Sequence, residues 1–190
     1  LRDSPVTDVH VFGRRGPAQV KFSPLELREA LHINGVQAIV YGEDFQYDQG
    51  SQDAIDSNNQ IRVMVKTLEQ LRANPQEPKE RRLHLHFFAS PVEVVGQDGK
   101  VAGLTIEKTK LDGSGGVVTT GEITNFPIQA IYRAVGYFGS PVDKIPFDAK
   151  SGVIPNEAGR VIGENGESLQ GVYCTGWIKR GPVGLIGHTK

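Results

Sequence analysis

Cysteine, methionine and tryptophan each occur only once in the 190 residues. With a single thiol, Cys174, an intramolecular disulfide framework is impossible, and a zinc cluster built on cysteines is excluded with it. A lone thiol fits a reducing compartment, and the chain is expected in the cytoplasm or in a comparable space such as the mitochondrial matrix. No apolar run approaches the roughly 18 residues of a transmembrane helix. The opening "LRDSPVTD" has no signal-peptide core and no initiator methionine, so it reads as an internal start. An excess of either charge is also missing. Lysine and arginine number 21 against 22 acidic residues, for a net charge of -1, and no broad basic field points to nucleic acid.

What is present is the rhythm of an α/β protein. "VTDVHVF" (Val6–Phe12) is a nearly continuous apolar strand of the kind buried in parallel sheets. After a loop, "SPLELREAL" (Ser23–Leu31) carries a helix start: serine as N-cap, proline at the first helical position and Glu26 three residues after the cap. "VQAIVY" (Val36–Tyr41) is a second short strand. The polar, acidic stretch that follows it reads as a surface excursion. Ile61, Val65, Leu68 and Leu71 then recur at helical spacing over Gln60–Asn74. "SPVEVVG" and "VAGLTIEKTKL" flank an Asp-Gly turn and predict an antiparallel hairpin, with a further turn-rich piece after it. "IQAIYRAVGYFGSP" predicts a strand and a glycine loop. Beyond it lie a hairpin-like region and a last strand, "GVYCTGW", in which Cys174 reads as a small core residue.

Two stretches carry chemistry. In "VHVFGRRGP" the strand ends on Arg14 and Arg15, flanked by glycines. In a dinucleotide-binding fold the end of the second parallel strand lies beside the adenosine ribose, where an acid selects NAD. A planar, permanently charged guanidinium suits the 2'-phosphate of NADP instead. A solvated basic turn is the other reading of the same residues. The first strand and its glycine-rich turn belong about 20 residues upstream, before the chain begins. The second stretch is "TGWIKRGPVGLIGHTK" (Thr175–Lys190), with Gly181, Gly184 and Gly187 spaced by three beside Trp177. It offers bare backbone N–H groups to a flat or anionic ligand, or is a glycine-rich turn with Trp177 as a core plug. His84 and His86 in "RLHLHFF" are two apart and share one side of a strand. They are half a metal site without a third ligand at any telling spacing, and a sheet surface accounts for them more simply. Lys79, Arg81 and Arg82 read as a solvated loop before a docking patch.

Taken in order, "VFGRRGPAQVKFSPLELREAL", "RAVGYFGSPVDKIPFDAKSGVIPNEAGRV" and "GWIKRGPVGLIGHTK" resemble the adrenodoxin-reductase-like NADPH–ferredoxin reductases. The resemblance implies an α/β chain in two parts. Residues 1–135 would be a Rossmann-like NADP-binding domain with an antiparallel β insertion, lacking its first strand and phosphate loop. Residues 136–190 would be an incomplete returning segment of the FAD-binding domain. It implies that Arg14 and Arg15 hold the 2'-phosphate and that Glu26 belongs to the same nucleotide site. It further implies that Trp177, Gly184, Leu185 and Ile186 lie against FAD. The implied reaction sends a hydride from NADPH to FAD and single electrons on to an iron–sulfur ferredoxin. A fragment of this extent is expected to be inactive alone and to lack FAD, and a homodimer is one way to complete its sheet. Another two-dinucleotide flavoprotein, such as a glutamate synthase small subunit, and a non-catalytic NADP-binding module are the alternatives.

Overall fold

The computed structural model describes residues 4–113, 116–136 and 138–181, in two compact units, Leu1–Ile131 and Tyr132–Lys190. The first unit holds a parallel sheet of strands β1 (Asp8–Phe12), β2 (Val36–Val40) and β3 (Arg81–His86), in the order β1-β3-β2. Helices α1 (Pro24–Leu31), α2 (Gln49–Ser57) and α3 (Asn59–Ala73) fill the connections.

The local signals that start α1 are all used. Ser23 N–H donates to the Glu26 carboxylate at 2.8 Å, and Glu26 N–H donates to Ser23 Oγ at 3.2 Å, with Pro24 at the first helical position. This reciprocal box satisfies two donors that the first turn leaves orphaned. Asn58 plays the N-cap part for α3, accepting from Gln60 N–H and Ile61 N–H. The core forms where the two helices meet one face of the sheet. Leu27 and Leu31 of α1 and Met64, Leu68 and Leu71 of α3 pack with Ala38 and Leu85.

The acidic stretch after β2 is not the surface excursion its polarity suggests. Asp48 caps α2 by accepting from Ser51 N–H at 2.8 Å, and Asp44, Phe45 and Ser51 are buried. Asp44 enters the interior because its carboxylate accepts Phe87 N–H at 2.9 Å, which satisfies a buried backbone donor.

Strands β4 (Ala89–Gln97), β5 (Lys100–Leu111) and β6 (Val117–Phe126) form an antiparallel meander. The Asp98-Gly99 turn takes positive φ at both residues, 52° and 72°, as a two-residue hairpin turn requires. The turn-rich piece beyond the hairpin is therefore a third strand.

In the second unit, β7 (Asn156–Glu157), β8 (Arg160–Ile162) and β9 (Ser168–Tyr173) make a small antiparallel sheet, followed by the short helix α4 (Trp177–Arg180). Two expectations fail nearby. Residues 128–136 form no strand, and Tyr132 and Val135 are 92% and 80% exposed. A β-prone sequence becomes a strand only when a neighbouring edge pairs with it, and none does so here among the described residues. Cys174 lies past the end of β9 and is only half-buried, because the strand stops at Tyr173.

Candidate functional site

The arginine loop grows out of the C-terminal end of β1. Gly13 N–H donates to the His86 carbonyl at 2.9 Å, and Ala89 N–H donates to the Gly13 carbonyl at 2.9 Å. The Arg15 carbonyl accepts Phe88 N–H at 3.1 Å, and the Arg14 carbonyl accepts the buried Thr109 hydroxyl at 2.6 Å. A side chain at Gly16 would run into the Phe88 ring, so this position stays bare. Phe88 itself sits at φ 52°, a left-handed conformation costly for a bulky residue. From there its N–H reaches Arg15, and its carbonyl accepts Thr109 N–H at 2.8 Å. The backbone of "GRRG" is thus pinned from three elements. Both arginine side chains are exposed, and among the described residues neither has an acidic partner. The arrangement presents two exposed guanidinium groups on a hydrogen-bonded backbone frame.

Thr109 and Phe88 are supports that reading the sequence missed. They lie 95 and 73 positions from the arginines they serve, and nothing local marks them.

Glu26 is placed as the N3 residue of α1, where its carboxylate is held by Ser23. The backbone N–H of Ser23 keeps its pKa below the usual carboxylate range. The geometry gives it a capping role. Trp177 opens α4 in the second unit and is 42% exposed. That helix is fastened by Ile154 N–H to the Ile178 carbonyl at 2.8 Å and by the Asn156 amide to the Lys179 carbonyl at 2.7 Å. Arg14, Arg15 and Glu26 share the first unit and Trp177 belongs to the second. Gly184, Leu185, Ile186 and Gly187 lie outside the described residues.

A second constellation occupies the sheet face opposite the helices. Register pairs His10 with His84 and Phe12 with His86 across β1 and β3, so all four project to one side. The ring of His10 stacks 4.3 Å from His84 and 5.2 Å from His86, and Phe12 and Tyr41 each lie 4.7 Å from His86. Burial lowers the pKa of His10 and brings that of His86 down to about 4. Asp8 borders the stack. It takes a forked pair of bonds from Arg82, at 2.6 and 2.9 Å, and one from His84 at 2.9 Å, which hold its carboxyl well below the usual range. Arg82 is therefore committed internally, and Lys79 donates to the Val36 carbonyl at 3.1 Å. The basic cluster is part of the sheet's own bonding.

Comparison with known proteins adds a relationship over the whole chain. It is 37% identical over 194 residues to the NADPH-ferredoxin reductase FprA of Mycobacterium tuberculosis, covering all of this chain and 41% of that protein. It is 38% identical over 205 residues to the human mitochondrial NADPH:adrenodoxin oxidoreductase, covering 40% of it. The solved structure of Mycobacterium tuberculosis FprA in complex with NADPH superposes with a TM-score of 0.78 at 36% identity, over 97% of this chain and 40% of that one. No profile of a protein family matches. The chain spans about two-fifths of the length of these relatives.

Proposed function

We propose that this chain, related along its full length to the NADPH–ferredoxin and adrenodoxin reductases, supplies the element that selects NADP in an enzyme of that kind. The observation that carries the reading is the pinned "GRRG" loop at the end of a parallel strand, whose two guanidinium groups have no acidic partner among the described residues. The residues fit a 2'-phosphate. A doubly charged oxyanion gains from charge-assisted, forked hydrogen bonds, and the glycines let the ligand come close to the backbone. Arg14 and Arg15 would hold that phosphate, and the rigid loop would spare the ordering cost of gathering them.

When bound, NADPH supplies a hydride, which in the proposed reaction reduces FAD before single electrons leave to an iron–sulfur ferredoxin. Glu26 would stand at the edge of the nucleotide site while it caps α1. Trp177 and the segment Gly184–Ile186 would take the flavin side. We assign residues 1–135 to NADP binding and 136–190 to FAD binding. No helix among the described residues is long and apolar enough to cross a membrane. We place the reaction in the cytoplasm or the mitochondrial matrix.

Calorimetric titration of the 190-residue chain tests the assignment. Binding of 2',5'-ADP is expected to exceed that of 5'-AMP, and to weaken as salt rises. Replacing both arginines, Arg14→Ala with Arg15→Ala, is expected to cut 2',5'-ADP affinity at least about tenfold, with 5'-AMP unaffected. Equal affinity for the two nucleotides in the unaltered chain would sink the proposal.

A further inference from the structure

Three of the five histidines meet on one sheet face, although His10 and His86 are 76 positions apart. We propose that His10, His84 and His86 form a binding site for one divalent transition-metal ion of the zinc type. This is independent of the nucleotide reading and uses none of its residues.

Distance is the first ground. His10 Nδ1 and His86 Nε2 are 2.9 Å apart, so two ring nitrogens share a single proton. Two zinc–imidazole bonds of about 2.0–2.1 Å at a tetrahedral angle place their nitrogens roughly 3.3 Å apart, so an ion takes the place of that proton once the nitrogens part by a few tenths of an ångström and the two rings tilt toward it. Ligand atoms of all three rings lie within 4.8 Å of one another.

Second, His84 is oriented as metal-binding histidines are. Its Nε2 lies 2.9 Å from Asp8 Oδ1, and a ring that donates there keeps the lone pair of Nδ1 free. That nitrogen meets the Tyr41 hydroxyl at 2.8 Å, the bond an incoming ion would displace. Asp8 is itself anchored by Arg82, so the groups behind the ligand are already ordered.

Third, the site is sheltered yet reachable. Phe12 and Phe126 pack against His86 at 4.7 and 5.2 Å. A cleft of about 230 Å³ reaches His86 between Tyr41, Glu122 and Phe126. Imidazole is a ligand of choice for zinc, copper and nickel, and three of them leave a position for water.

The larger adjustment falls on His84. The rings lie nearly parallel, His10 within 9° of His84 and 20° of His86, whereas a lone pair points along its ring plane. Joining the other two on one ion therefore turns His84 out of the stack, about bonds that a staggered side chain can rotate.

Zinc chloride titrated calorimetrically into the 190-residue chain should bind at one ion per chain. His10→Gln, His84→Gln and His86→Gln should each weaken it at least tenfold, whereas His32→Gln and Cys174→Ser should not. Circular dichroism verifies the fold of each variant. A second measurement needs no variant: zinc should protect His10 and His86 from diethyl pyrocarbonate, as mapped by mass spectrometry. Absence of stoichiometric binding, its loss in Cys174→Ser, or equal modification of His10 and His86 with and without zinc would each overturn the site.

Discussion

At the scale of single residues, the side chains that decide most are charged groups in unequal company. Arg14 and Arg15 have no acidic partner among the described residues, whereas Arg82 is spent on Asp8. The three arginines thus differ in their bonding, and the difference lies in what the backbone brings near them. Asp44 shows the cost of burial. It is 5% exposed, and desolvation raises its pKa to about 6, against the lowering effect of the Phe87 N–H. Because the folded pKa lies above the unfolded value, folding binds protons, and stability from this group is present below pH 4 and lost as pH rises through 6. Asn keeps an acceptor for Phe87 without ionising. Asp44→Asn should therefore gain about 2 to 3 kcal/mol at pH 8, where the buried carboxylate would otherwise be charged, and almost nothing at pH 4. Urea unfolding at both pH values measures this. An equal effect at the two would contradict the burial argument.

At the scale of elements, the sequence is most legible where bonds are local. The Ser23–Glu26 box, the Asp-Gly turn and the spacing of α3 each need only a few contiguous residues, and each forms where its residues indicate. Ser23→Ala removes one half of the box and should cost about 1 kcal/mol, read as a lower thermal midpoint with unchanged native secondary structure. A cost near zero would mean that packing of Leu27 and Leu31, and not the cap, sets the start of α1. The opposite case is the stretch from 128 to 136. Its composition favours a strand, yet a strand is a relation between two segments, and no edge among the described residues pairs with this one. The acidic excursion fails for a related reason, since polarity does not reveal that Asp44 will meet a buried N–H from β3's far end.

At the scale of the molecule, the chain divides after Ile131, and the next residue, Tyr132, is 92% exposed in chain without a strand partner among the described residues. Segments of this kind are cut first by proteases. Brief chymotrypsin treatment is expected to nick after Tyr132 and leave two pieces matching the two units. First cleavage inside α3 or β5 would show that the division is not a boundary of stability. Within the first unit, the β meander does more than decorate the parallel sheet. Thr109 of β5 bonds the Arg14 carbonyl, and Phe126 of β6 lies against His86, so the meander helps to shape both proposed sites.

The sequence by itself determined the local and the chemical: the capped start of α1, the spacing of α3, the hairpin turn, the order β1, α1, β2, and two arginines at a strand end. It also marked the family resemblance that comparison over the whole chain supports. Only the tertiary structure decided which groups meet. It committed Arg82 to Asp8 and left Arg14 and Arg15 without an acidic partner among the described residues. It put Thr109 beneath the arginine loop and added His10 to His84 and His86. The reason is physical. Caps and turns are bonds among neighbours in the chain, whereas a parallel sheet sets His10 beside His84 from a distant part of the chain, in a register that only pairing and packing can fix.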